Sequence, residues 1–222
     1  MATPRAVVFD MDGLMFNSEE VYYRVGVELM RRRGREYSPQ FSDAIMGRPP
    51  KDCFEMMIQW YSLDDAWEAL KAESEDVFLA LLEQWLQPMP GLMALLDALE
   101  SAGLPKAICT SSSRRLADAA LGRFDLARRF QFVLTAENIV RGKPDPEIYR
   151  TAARLLAIAP AQMLVLEDSQ TGCRAAAASG ALTVAVPGEH SRNHDFSPAT
   201  LLVDGLSDPR LYAAIGLATT RG

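Results

Sequence analysis

Ala6-Val7-Val8-Phe9-Asp10-Met11-Asp12-Gly13 decides the fold. Four apolar residues in a row read as a strand buried on both faces, and the glycine lets the backbone turn sharply after it. The strand ends in two carboxylates two residues apart, negative charge concentrated beside an apolar layer, an arrangement that calls for a cation. Taken alone, Asp-x-Asp-Gly is equally an ordinary turn. The rest of the chain decides between the two.

Downstream of Met89-Pro90-Gly91 the text alternates between helix and strand. Helices are expected over Gly91 to Ala102, Arg114 to Arg123, Pro146 to Leu156 and Gln170 to Ser179, the last stopped by Gly180. Strands are expected over Lys106 to Thr110, Phe132 to Leu134, Met163 to Glu167 and Thr183 to Val186, with Leu201 to Val203 as an edge strand. Strands separated by helices make a parallel sheet covered on both faces. Between Asn17 and Pro88 the pattern is helical instead: Glu20 to Arg33, a break at Pro39 and at Gly47-Arg48-Pro49-Pro50, then Lys51 to Leu86. The expected fold class is therefore α/β, a Rossmann-like parallel-sheet core with an inserted all-helical domain. The core takes residues 1–16 and 89–222 and the helical insert takes 17–88.

Composition narrows the function. The chain has 222 residues, 49% of them hydrophobic, enough for a core of normal size. A net charge of -6 and a pI near 5.0 leave no basic surface for a phosphate backbone, so no nucleic-acid partner is expected. No apolar run approaches the roughly 18 residues of a membrane span, and no signal-peptide core opens the chain, so the expectation is no membrane association, a cytoplasmic location and a monomer. Cys53, Cys109 and Cys173 are odd in number and unpaired by spacing, which reads as buried thiols. The two histidines, His190 and His194, share one polar stretch and leave no scope for a histidine-based nucleophilic triad.

In open parallel sheets, ligands bind beyond the carboxyl ends of the strands. There this sequence places Asp10 and Asp12, then Thr110-Ser111-Ser112-Ser113, then Arg141-Gly142-Lys143-Pro144-Asp145-Pro146, then Glu167-Asp168. Four carboxylates beside one lysine fit a hard divalent cation, and Mg²⁺ suits a site that keeps room for phosphate oxygens. Hydroxyls on a turn entering a helix offer donors to an anion, although one of them serves equally as the cap of that helix. An aspartate facing a phosphoryl group can act as nucleophile, with its neighbour as acid and base.

Asp10-Met11-Asp12-Gly13-Leu14, Thr110-Ser111, Gly142-Lys143-Pro144-Asp145-Pro146 and Glu167-Asp168-Ser169-x-x-Gly172 resemble, in order, the four motifs of the haloacid dehalogenase-like superfamily. The helical insert directly after the first motif is similar to the cap of its β-phosphoglucomutase and small-metabolite phosphatase branch. The resemblance implies Asp10 as nucleophile and Asp12 as general acid and base. It implies Mg²⁺ held by Asp10, the Asp12 backbone carbonyl and Asp168, with Glu167 on the metal or its waters. Thr110, Ser111 and Lys143 would then hold the phosphoryl group, and Lys143 would also neutralise the nucleophile. The implied activity is Mg²⁺-dependent hydrolysis of a small phosphorylated metabolite through an aspartyl-phosphate. The alternative is a β-phosphoglucomutase-like isomerase.

Departures from the family pattern bear on substrate. The chain has Asn17-Ser18 where Asp-Thr or Asp-Ser is usual, and Tyr22 where the mutases carry a histidine. Gly47 is followed by Arg48-Pro49-Pro50-Lys51, which displaces the cation those mutases use. Met46-Gly47 also resembles pseudouridine and sugar phosphate phosphatases of this branch. A mutase must shield its aspartyl-phosphate from water, and the missing cap groups favour hydrolysis. Tyr22, Arg48 and Lys51 are the candidate specificity residues. Trp60, Trp67 and Trp85 are expected to anchor the insert's core, and Arg31-Arg32-Arg33 and Arg114-Arg115 to lie on solvated helix faces.

Overall fold

The computed structural model describes residues 3–45 and 48–217; Met46 and Gly47 lie outside them. The chain forms two compact units, one of Met1–Phe16 with Pro88–Gly222, the other of Asn17–Gln87.

The first unit is an α/β domain around one parallel sheet. Its strands are β1 (Ala6–Phe9), β2 (Lys106–Cys109), β3 (Val133–Leu134), β4 (Met163–Glu167), β5 (Leu182–Ala185) and β6 (Leu201–Leu202). They lie in the order β3-β2-β1-β4-β5-β6, every neighbouring pair parallel. All residues of β1 and β4 are buried, which is why both read as continuous apolar runs rather than alternating ones. Among the described residues five α-helices accompany the sheet, which we number after those of the second unit: α5 (Leu92–Ser101), α6 (Arg114–Arg123), α7 (Glu147–Leu155), α8 (Gln170–Ser179) and α9 (Pro209–Ile215). Ile148, Tyr149, Ala152 and Ala153 of α7 join Val8, Cys109, Val165 and Ala176 in one core cluster. Gly180 ends α8 in the left-handed region (φ 90°), as a helix stop requires.

From β1 the chain proceeds outward to β2 and β3, then crosses back to β4 on the other side of β1. This reversal of winding, between β1 and β4, opens a crevice at their carboxyl ends. Phe9 pairs with Ile108 on one side and Leu166 on the other, so the residues just beyond, Asp10, Cys109 and Glu167, emerge at one level. The chain leaves this unit at Phe16 and returns at Pro88. These two residues form an antiparallel bridge, and Met89 N donates to Met15 O at 2.8 Å.

The described residues of the second unit are helical: α1 (Ser18–Arg32), α2 (Pro39–Ile45), α3 (Pro50–Tyr61) and α4 (Trp67–Trp85). Val21, Val25 and Leu29 of α1, four residues apart, are buried with Phe41, Leu70, Phe78 and Leu82. Three expectations are corrected here. The run Lys51 to Leu86 is not one helical stretch, because Ser62 turns left-handed (φ 52°) and Leu63 N bonds back to Ile58 O. The tryptophans do not anchor the core either. Trp60 is 51% exposed against Phe41, Trp67 lies under the Lys51 ammonium, and Trp85 carries the Arg24 guanidinium 3.2 Å from its ring centre. Aliphatic side chains and two phenylalanines fill that space instead. Arg33 also departs from a solvated face: it is 17% exposed and binds Asp65 and Glu73, each at 2.7 Å, linking the end of α1 to the α3–α4 turn and to α4.

Candidate active site

The crevice beyond β1 and β4 concentrates acid. Asp10, Glu167 and Asp168 are 6%, 0% and 4% exposed, and one carboxylate oxygen from each lies within 4.8 Å of the others. Three buried carboxylates with one ammonium among them leave excess negative charge in a poorly solvated place. Such a set is stable only with a further cation or with protons. Carboxylate oxygens are hard donors, so the residues present fit Mg²⁺.

Lys143 supplies the ammonium from the loop before α7, its side chain 6% exposed. Each of its three protons has a partner: Asp10 Oδ1 at 2.5 Å, Glu167 Oε1 at 2.7 Å and the Cys109 carbonyl at 3.1 Å. Burial pushes the Asp10 carboxyl up to about 8 against the opposing pull of Lys143. Burial also works to lower the Lys143 ammonium, but Asp10 and Glu167 outweigh it and hold the group above its ordinary value. Lys143 is thus held as a positive charge, while burial favours the neutral form of Asp10 and Lys143 opposes it.

Asp12 faces the other way. Its Oδ2 accepts from Ser112 Oγ at 2.6 Å and Thr110 Oγ1 at 3.1 Å. Ser112 N in turn donates to Thr110 Oγ1 at 3.0 Å, so the turn after β2 folds around the Asp12 carboxylate. Ser111, expected to hold the phosphoryl group, is exposed on this turn, and Ser112, to which the sequence assigns no role of its own, meets Asp12. Ser113 caps α6 by accepting from Leu116 N. The Asp12 carboxylate lies outside the three-acid cluster, leaving its backbone carbonyl as the expected metal contact.

Behind the acids lies a supporting layer of Ser169 and Gly172, read from the sequence only as part of a motif, and of Tyr149, which the sequence did not single out. Tyr149 of α7 donates its hydroxyl to Glu167 Oε1. Ser169 donates to Glu167 Oε2 at 3.2 Å while accepting from Gly172 N at 3.1 Å, so one hydroxyl both caps α8 and steadies the carboxylate. Gly172 belongs there for space: a Cβ at that position would overlap the Glu167 carboxylate. The only sequence signal for Tyr149 is its place three residues into a helix that follows a lysine loop, which apolar periodicity explains equally well.

A sequence profile described as haloacid dehalogenase-like hydrolase matches residues 7–186. The chain belongs to that family. It is 29% identical over 175 residues to a phosphorylated carbohydrates phosphatase of Thermotoga maritima, covering 79% of this chain and 81% of the relative. It is 29% identical over 214 residues to a validoxylamine A 7'-phosphate phosphatase of Streptomyces hygroscopicus subsp. limoneus, covering 93% and 96%. The crystal structure of CbbY from Rhodobacter sphaeroides in complex with phosphate superposes with a TM-score of 0.84 at 24% identity, over 92% of this chain and 95% of that one. That last likeness concerns the fold.

The remaining candidates fall elsewhere. Tyr22, Arg48 and Lys51 belong to the helical unit, where Tyr22 packs on Phe78, Arg48 Nε donates to Ala44 O at 2.8 Å, and Lys51 pairs with Glu55 at 3.6 Å. Cys109 and Cys173 are buried free thiols and Cys53 is half-buried. His190 is exposed and His194 half-buried, both in the loop after β5. Among the described residues no helix is long and apolar enough to cross a membrane.

Proposed function

We propose that this hydrolase is a Mg²⁺-dependent phosphatase of small phosphorylated metabolites, sugar phosphates foremost, working through an aspartyl-phosphate. The observation that carries the reading is Lys143 Nζ held between Asp10 Oδ1 and Glu167 Oε1 inside a buried acid cluster. The relatives, phosphatases of phosphorylated carbohydrates and of validoxylamine A 7'-phosphate, support the substrate class.

Asp10, Asp168 and the Asp12 carbonyl would hold the Mg²⁺, with Glu167 adjoining it. When bound, the ion neutralises negative charge on the phosphoryl oxygens. Lys143 fixes the Asp10 carboxylate and offsets its charge. In the first step an Asp10 oxygen bonds to phosphorus while the ester P–O bond breaks, and the electron pair leaves with the alkoxide, which takes a proton from Asp12. Asp12 is presented for this by Thr110 and Ser112, whose hydroxyls occupy Oδ2 and leave Oδ1 for the proton. In the second step Asp12 takes a proton from water as the water oxygen bonds to phosphorus. The acyl–phosphate bond breaks, its electrons return to Asp10, and inorganic phosphate is released. We assign the choice of substrate to the helical unit, with Tyr22, Arg48 and Lys51 as the side chains to vary.

The test is phosphate release with Mg²⁺ from a panel of sugar phosphates, hexitol phosphates, nucleotides and phosphoglycolate, beside Asp10→Asn. Release abolished by that substitution is expected. If glucose 6-phosphate instead accumulates from β-glucose 1-phosphate and a bisphosphate activator, without phosphate release, the protein is a mutase and the phosphatase reading fails.

A further inference from the structure

Glu167 is engaged on every side. Its Oε1 accepts from Lys143 Nζ at 2.7 Å and from the Tyr149 hydroxyl, its Oε2 accepts from Ser169 Oγ at 3.2 Å, and Gly172 leaves no side chain between it and α8. A carboxylate so held cannot pivot, and the ammonium bound to it is fixed in turn. Tyr149 touches both members of this pair: its hydroxyl meets Glu167, and the Lys143 ammonium lies 5.2 Å from its ring centre. The ring itself is 0% exposed, packed with Ile148, Cys109 and Val165 in the core.

A phenylalanine would fill that core equally well. The hydroxyl is accounted for only by the carboxylate it meets, because a buried phenol needs a partner and this one has chosen the acid that anchors the lysine. Without that hydrogen bond Glu167 keeps one donor on Oε1, the lysine itself, and the two can shift together. The Lys143–Asp10 distance would then be set by the attraction between two charges rather than by a frame built on the sheet and α7. Lys143 and Tyr149 are six residues apart, so the loop that delivers the ammonium and the helix that braces it are one continuous segment.

We propose that Tyr149 is a positioning residue of the phosphoryl-transfer site, acting through Glu167 to hold the Lys143 ammonium against Asp10. The proposal rests on the reading of Asp10 as phosphoryl acceptor. Tyr149 touches no reacting atom, so its loss leaves ground-state binding nearly intact and weakens what Lys143 does as charge moves onto and off Asp10. A displacement well under 1 Å at such a group is enough to slow the chemical step.

The experiment compares the wild-type protein, Tyr149→Phe and Ile148→Val, the last loosening the same core while keeping the Tyr149 hydroxyl and its bond to Glu167. Three quantities are read: kcat and KM on whichever panel substrate the wild type hydrolyses, the affinity for beryllofluoride with Mg²⁺ followed by ¹⁹F NMR, and the melting temperature. For Tyr149→Phe the expected result is a kcat lower by about 10- to 100-fold, KM within about threefold, beryllofluoride affinity lower by about tenfold, and little change in melting. Ile148→Val should retain kcat and beryllofluoride affinity. Wild-type kcat in Tyr149→Phe, or an equal loss in Ile148→Val, overturns the proposal. If the wild type hydrolyses nothing yet binds beryllofluoride, the phosphatase reading fails and the ratio of the two affinities alone decides the role of Tyr149. If it does neither, Asp10 is not an acceptor and both readings fall.

Discussion

Replacing Gly172 by alanine adds one methyl group to α8, and the structure says where it goes: into the Glu167 carboxylate. To regain van der Waals separation, the carboxylate must retreat by about 1 Å or more, or the first turn of α8 must move outward by as much. A glutamate end is ordinarily flexible enough to yield cheaply, but here it is bound by Lys143, Tyr149 and Ser169, so retreat breaks or stretches charge-assisted hydrogen bonds. Overpacking of this kind costs about 1–3 kcal/mol, which lowers the melting temperature by about 5 °C for a domain of this size. The effect on chemistry is larger, because Lys143 loses its anchor beside Asp10; a fall of about 100-fold in kcat is expected. Phosphate release and differential scanning fluorimetry on Gly172→Ala, beside Gly122→Ala, measure both. Gly122 lies within α6 with nothing near a new Cβ, and alanine there should stabilise by about 0.5–1 kcal/mol without touching the rate. Full activity and unchanged melting in Gly172→Ala would refute the claim that the Glu167 carboxylate is rigidly held.

Other consequences are as direct. Because burial raises the Asp10 carboxyl to about 8, Mg²⁺ must displace a proton below that pH; its affinity by calorimetry should climb by up to about tenfold per unit as pH rises toward 8 and level off above. The sign for stability is opposite. An acid whose folded value exceeds its unfolded one stabilises the metal-free protein fully below about 3.8, and that contribution is lost as pH rises through about 8. The melting temperature of the metal-free protein minus that of Asp10→Asn should therefore fall over this window and be flat under saturating Mg²⁺; a rising difference contradicts the assignment. Ser112→Ala should lower kcat by about tenfold in phosphate-release kinetics by freeing the Asp12 carboxylate; an unchanged kcat would refute the bracing of Asp12 by this hydroxyl.

What could be read in the chain was what repeats along it. Buried parallel strands are written as unbroken apolar runs, so β1, β2 and β4 and the acids at their ends were legible, and with them the order of the site's four segments. What was not legible depended on short-range geometry. That Ser112, of the four consecutive hydroxyl residues after β2, joins Thr110 on Asp12 is settled by the fold of that turn, which no spacing encodes. The division of α3 from α4 rests on Ser62 at φ 52°, a left-handed turn made without the glycine that usually announces one. Tyr149 was hidden because its ring obeys the helix's apolar period and only its oxygen does chemistry. The tryptophans misled through size: in a small bundle, Val21, Val25 and Leu29 of α1, with Leu70, Phe78 and Leu82 of α4, do that work, and Trp67 and Trp85 remain half-covered as platforms for Lys51 and Arg24.

The bridge between Phe16 and Pro88 makes the core a hairpin whose loop is a folded domain of about 70 residues. Chain-closure entropy grows only with the logarithm of loop length, so extending a two-residue turn to this length costs about 3 kcal/mol, less if the loop has its own compact structure. The stems therefore act as a socket. A short Asn-Gly turn, or an unrelated domain with adjacent termini, should be accepted at the same two residues without disturbing a carboxylate. In descent as in the laboratory, such a joint lets the two units be inherited, lost or exchanged separately.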